Sequence, residues 1–170
     1  YKAYHTSGRF ADDFYTVDLM TDVLGRGKSA RLYRKLLKER QLFTNINAYT
    51  TSSIDPGLLV VQGNLNTVVS LEEADAAIEE ALQELVDIPL PENELSKVKN
   101  QAESTLAFSE IELLNRAMNL AYAANAGNPE LVNQEADRIQ AVSVSGIQSM
   151  AKKMLTKENC STLYYKAALV

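Results

Sequence analysis

The chain has 170 residues, a net charge of −5, 46% hydrophobic and 23% charged residues, and no tryptophan. That length buries roughly two-thirds of the unfolded surface in one domain, so no disulfide or metal staple is needed. The acidic balance and scattered Lys and Arg argue against a nucleic-acid surface. The single cysteine, Cys160, excludes an internal disulfide framework and any multi-cysteine metal site, and no apolar run approaches the ~20 residues of a membrane span.

Tyr1-Lys-Ala-Tyr-His-Thr reads as a strand broken by Ser7-Gly8. His5 is the only histidine, and a lone histidine in a strand is a packed or surface side chain rather than a ligand, because zinc needs three or four convergent donors. Asp12 or Asp13 starts a helix whose Phe14, Val17, Met20 and Leu24 form one stripe, widened by Tyr15, Leu19 and Val23. Gly25 and Gly27 are expected to stop it at a left-handed position. A phosphate cradle over Gly25–Ser29 is disfavoured, because a P-loop requires a strand before its glycines.

Ser29 is positioned to cap a short helix with Leu32, Tyr33, Leu36 and Leu37 on one face. From Phe43 to Thr50 the period becomes two. Thr44, Ile46, Ala48 and Thr50 then share one side, and Phe43, Asn45, Asn47 and Tyr49 the other. Asp55-Pro56-Gly57 suits a tight turn before a second strand, Leu58 to Gln62, whose Leu58-Leu-Val-Val run is apolar at every position and so is expected to be covered on both faces.

Ser70-Leu-Glu-Glu73 is a capping box, and Leu71, Ala74, Ile78, Ala81, Leu82 and Leu85 form the stripe of the helix it starts; Glu72, Glu79 and Glu80 lie on a solvated face. After Pro89 and Pro91 a helical pattern runs from about Glu92 to Asn125. Leu95, Val98, Ala102, Leu106, Ser109, Leu113, Ala117 and Leu120 keep a near-heptad beat, with a bend or break expected at Phe108 to Glu112. Gly127-Asn128-Pro129 closes it. Helices follow over Glu130–Gln140 and Gly146–Leu155, the latter introduced by Ser143 or Ser145, and Ser161–Lys166 reads as the last strand.

This order predicts an α+β two-layer sandwich, a mostly antiparallel sheet with helices on one face. The other sheet face is expected to meet another domain or to line a cavity, since an isolated globule has little reason to keep Leu58 to Val61 apolar throughout.

Residues Gly25 to Leu65 carry a Gly-x-Gly-x-Ser-x-Arg-Leu-Tyr-x-x-Leu run, a basic helix, an extended segment, a turn and an apolar strand ending in Gly-Asn. This resembles the non-catalytic domain of pitrilysin/insulinase-type zinc peptidases, the family of the mitochondrial processing peptidase. The resemblance implies a catalytic H-x-x-E-H site in a partner domain, which one histidine cannot build here. It implies no catalytic or metal-binding residue and no cofactor in this domain, with zinc held by the missing catalytic domain. It also implies that Leu37 and Thr44 stand where the substrate-clamping half of such enzymes places its Arg and Tyr. Arg26 and Tyr33 have that spacing by coincidence.

The implied role is support of the catalytic domain and lining of a peptide-binding chamber. Implied partners are the catalytic domain of the same chain, a homologous half or subunit in a dimer, and peptide substrate. Arg31, Tyr33, Asn45, Asn47 and Tyr49 are the candidate peptide-chamber or interdomain contacts. Tyr1 falls inside a predicted strand, so residues 1–170 are expected to be a single domain excised from a longer chain. The composition suits the bacterial periplasm and cytoplasm alike. The alternative role is a scaffold or interaction subunit with no part in proteolysis.

Overall fold

A computed structural model describes residues 1–166. Four strands, β1 (Lys2–Thr6), β2 (Phe43–Thr50), β3 (Gly57–Leu65) and β4 (Cys160–Thr162), form one antiparallel sheet in the order β2-β3-β1-β4. Six α-helices accompany it: α1 (Phe14–Gly25), α2 (Leu71–Asp87), α3 (Glu92–Ser109), α4 (Leu113–Asn125), α5 (Leu131–Ala141) and α6 (Val144–Met154). A π-helical turn spans Tyr33–Glu39. The helical layer covers one sheet face and leaves the other open, which is the expected two-layer α+β arrangement.

The core lies between α1, α2, α6 and the sheet. On the sheet side Tyr4, Ile46, Ala48, Leu59 and Val61 are buried; Val17, Met20, Leu24, Ile78, Leu82, Leu85 and Ile147 meet them. Capping follows the sequence: Ser70 Oγ accepts from Glu73 N–H at 3.1 Å, and Ser143 Oγ from Gly146 N–H at 3.0 Å. The long helical pattern breaks at residues 110–112, as expected, and Gly127 closes α4 with φ of 91°.

Several expectations are corrected. α1 ends at Gly25 as expected, but Gly25 is not left-handed; a Cβ there would lie 2.0 Å from Ala48 N, so the missing side chain sets how near helix and sheet approach. Gly27, at φ 80°, is the left-handed residue. Ser29 caps nothing and instead accepts from Lys97 Nζ at 3.0 Å. The helix that follows winds as a π-turn, with Arg40 N–H donating to Lys35 O. That wider winding brings Arg31, Leu32 and Leu36, spaced four and five apart, into the interior together.

In β2 a bulge between Phe43 and Asn45 flips Phe43 to the buried side with Ile46 and Ala48, against the simple alternation. Its ring lies where a Cβ of Gly63 would be, 2.5 Å from that position. The β2–β3 connection takes its left-handed residue at Ser52, with φ 49°, and Gly57 already belongs to β3. β3 alternates: Leu59 and Val61 are buried, whereas Leu58, Val60 and Gln62 are half-buried on the open side. On α2, Glu79 and Glu80 are not merely solvated, since they accept from Lys2 Nζ at 3.2 Å and Arg40 Nη1 at 2.7 Å. The heptad beat stops with α3: Leu95 and Val98 are buried, but Leu113 and Leu120 on α4 are 79% and 52% exposed. β4 begins one residue early, at Cys160, and is only three residues long, so Leu163–Lys166 lie outside it.

Candidate functional site: the open face of the sheet

Strand alternation and the β2 bulge decide which side chains face away from the helices. Tyr49, Val60, Ala3 and Ser161 stand side by side across all four strands; Asn47 pairs with Gln62 and Leu58 with His5 on either side of that row. No Asp, Glu, Lys or Arg lies among them. The centre is apolar, from Leu58, Val60 and Ala3, and the flank is lined by the amides of Asn45, Asn47 and Gln62 and the Tyr49 hydroxyl. Tyr49 is 43% exposed, and Asn47 Oδ1 is enclosed without a donor, leaving one acceptor unused. β2 is an edge strand, paired only with β3, so half of its backbone groups are available to an added strand.

The five residues singled out from sequence are therefore divided. Asn45, Asn47 and Tyr49 share the open face. Arg31 and Tyr33 sit in the helical layer instead. Arg31 is 5% exposed and donates through Nε (3.1 Å) and Nη2 (2.9 Å) to the two Glu94 carboxylate oxygens, tying the π-turn to α3. Tyr33 is half-buried, with Lys38 Nζ 5.7 Å from its ring centroid.

The residues present do not fit a zinc ion. His5 is exposed on the open face, opposite Leu58, while Cys160 lies beside Tyr4, whose side chain points into the core. The two donors thus stand on opposite faces of adjacent strands. No group of three or more His, Cys, Asp or Glu suited to a metal occurs among the described residues.

A polar cluster on α1 escaped the sequence reading. Asp18 Oδ1 accepts from Thr50 Oγ1 at 3.2 Å, and Asp22 Oδ2 accepts from Arg26 Nη1 at 3.0 Å; Arg26 Nη2 reaches across to Thr105 Oγ1 on α3 at 3.0 Å. Burial raises both carboxyls. Asp22 is pushed up to about 6, first by desolvation and then by the Asp18 charge, with Arg26 only partly offsetting them. Arg9, from the loop after β1, completes the cluster's far side by pairing with Glu135 of α5 at 3.2 Å. These charges sit beneath the groove between α1, α3 and α4, away from the open sheet face. They are spent on holding helices, since each faces an intramolecular partner. At the other end of the sheet the buried Lys2 ammonium is paired with Asp75 at 2.8 Å and Glu79 at 3.2 Å. Burial pulls its pKa down, but the two carboxylates outweigh that and hold it above the ordinary lysine value.

A family model described as "Peptidase M16 inactive domain" matches residues 2–102. The "uncharacterized zinc protease YmxG" of Bacillus subtilis is 23% identical over 146 residues, covering 85% of this chain and 35% of the relative. The chain thus spans about a third of the length of that curated relative. Among solved structures, a protein of Bordetella parapertussis crystallised as an "inactive peptidase domain" superposes with a TM-score of 0.86 at 22% identity, covering 94% of this chain and 87% of that one. A protease from Helicobacter pylori also superposes at 0.86, with 16% identity, covering 94% of this chain and 38% of that one. Likeness at these identities is likeness of fold.

Proposed function

The chain belongs to the peptidase M16 inactive-domain family, and on that premise we propose that residues 1–170 form one domain of a longer zinc metallopeptidase, where they support the catalytic domain and line the peptide-binding chamber. As an inactive-type domain it carries no catalysis of its own. Zinc chemistry belongs to the H-x-x-E-H site of the catalytic domain, and Leu37 and Thr44, standing where the family's clamping Arg and Tyr would be, support a place in the zinc-bearing half. A homologous half closes the chamber from the other side.

The observation that carries this reading is the charge-free open sheet face beside an unpaired edge strand. A chamber that handles extended peptides needs backbone partners and neutral amides, which tolerate many side chains without favouring one charge. Asn47 brings a half-buried amide to the open face, and Tyr49 offers an exposed ring and hydroxyl. Arg31, paired in the interior, and Tyr33 contribute by fixing the π-turn that precedes β2.

The test is peptide cleavage by the full-length protein. Asn47→Ala and Tyr49→Ala, both on the open face, are expected to raise KM for an extended peptide by about three- to tenfold, the loss of one or two surface hydrogen bonds or contacts, with kcat and melting temperature nearly unchanged. Unchanged KM in both would sink the chamber assignment. A full-length sequence without H-x-x-E-H would replace it with the scaffold role.

A further inference from the structure

Helix α4 is amphipathic the wrong way round. Its sequence, Leu-Leu-Asn-Arg-Ala-Met-Asn-Leu-Ala-Tyr-Ala-Ala-Asn, turns Asn115, Asn119 and Ala123 toward α1 and α5, and only Ala123 is buried. Leu113, Leu114, Ala117, Leu120, Ala121 and Ala124 lie together on the outward half of the helix and are all exposed. Phe108 and Ile111, 71% and 74% exposed, extend the surface around the α3–α4 elbow. Arg116 is the single charged residue within α4, at the edge of this face.

We infer that this outer face of α4, with the elbow before it, is the seat of the catalytic domain of the same longer protein. The inference rests on the functional reading above and names the contact that reading lacks. An extended peptide is a poor occupant, because the α4 backbone is already hydrogen-bonded within the helix and the centre of the face, Leu113, Ala117, Leu120 and Ala124, offers no donor or acceptor side chain, with Glu112 and Arg116 only at its margin. That chemistry belongs to the open sheet face. An apolar helix face without hydrogen-bonding groups suits a dry, lasting contact with a folded partner, of the kind found in obligate rather than transient interfaces.

Two facts select the neighbour in the same chain over a second copy. The chain spans only 35% of the Bacillus subtilis relative and 38% of the Helicobacter pylori chain, so more than half of each lies outside the shared region. The Bordetella parapertussis counterpart, of which this chain spans 87%, was crystallised as a domain, which favours a separate folded unit over a missing piece of this core as the cover for α4. A tethered domain covers such a face at any concentration, whereas a second copy covers it only above its dissociation constant.

Amide hydrogen exchange over residues 110–126 tests this, comparing the isolated 170-residue domain with the full-length protein. The expected result is exchange about tenfold or more slower in the full-length protein, with no dependence on concentration between ~1 and ~50 µM. Leu120→Glu should return that segment to fast exchange in the full-length protein while leaving the melting temperature of the isolated domain unchanged. Equal exchange in the two proteins overturns the inference, and so does protection in the isolated domain that grows with concentration, which would assign the face to a second copy. The outcomes separate cleanly from the functional reading. A full-length protein that carries H-x-x-E-H and cleaves peptides, but leaves residues 110–126 unprotected, defeats the α4 assignment alone. A protected α4 in a protein without that motif defeats the functional reading instead.

Discussion

Helices α1 and α4 have 12 and 13 residues, seven and nine of them apolar, yet their fates differ. α1 lies between the sheet and α3, α5 and α6; Val17, Leu19, Met20, Val23 and Leu24 are all buried, including positions on opposite sides of the helix. α4 turns a narrow strip, Asn115, Asn119 and Ala123, inward and leaves its leucines in solvent. Apolar content therefore states how much cover a helix needs, and topology decides who supplies it. α1 finds its cover within this domain; α4 does not.

Four measurements press on this contrast, and Gly25→Ala has an expected effect as large as any. Its new methyl would meet the Ala48 backbone, which has no rotamer to yield, so α1 must lift from β2 at a loss of about 3 kcal/mol and a drop of roughly 6–12 °C in Tm. A loss below ~0.5 kcal/mol would show that α1 is held less tightly than described. Arg31→Ala leaves the Glu94 carboxylate, itself mostly buried, without its bidentate partner, and urea denaturation should record a loss of about 3 kcal/mol.

Asp22→Asn probes the packing of α1 against α3. Because the folded carboxyl titrates near 6 and the unfolded one near the ordinary 3.8, the native state holds the proton more tightly. Wild-type stability therefore falls as pH rises through that window. Relative to Asp22→Asn the wild type should lose about 1–2 kcal/mol between pH 4 and pH 7, after allowance for partial exposure and for the Arg26 pair. A difference that is flat, or that rises with pH, contradicts the burial of this carboxylate. Leu113→Glu should have the smallest effect, under ~0.5 kcal/mol in the isolated domain, since nothing there packs on that side chain.

The limits of sequence reading follow the same division between local and distant causes. Ser70 and Ser143 as caps, the break after Ser109 and the span of β2 were legible, because each depends on residues within a few positions. The bulge that turns Phe43 inward was not, since it exists only in the pairing with β3. The close approach at Gly25 was hidden for the same reason: its neighbour, Ala48, lies 23 positions away along the chain. At the candidate site, the alternation of Asn45, Asn47 and Tyr49 could be read from β2 alone. The enclosure of Asn47 and the Arg31–Glu94 pair could not, because their causes are other strands and helices. Asp18 and Asp22 carry no local signal of burial, because their surroundings, Thr50 of β2 and Arg26 with Thr105 of α3, come from outside α1.

The pairing of β1 with β4 also orders events in time. The first strand of the domain is flanked on one side by β3 and on the other by residues more than 150 positions later, with Leu163 N–H reaching Tyr1 O at 2.9 Å. A ribosome releasing this chain thus exposes β1, β2 and β3 long before β4 can leave the exit tunnel. Until then the β1 edge is open to any extended segment nearby, and the last three-residue strand must close a very large loop to seal it. Nascent domains of this topology are accordingly most open to mispairing in the interval between the synthesis of α2 and the arrival of β4.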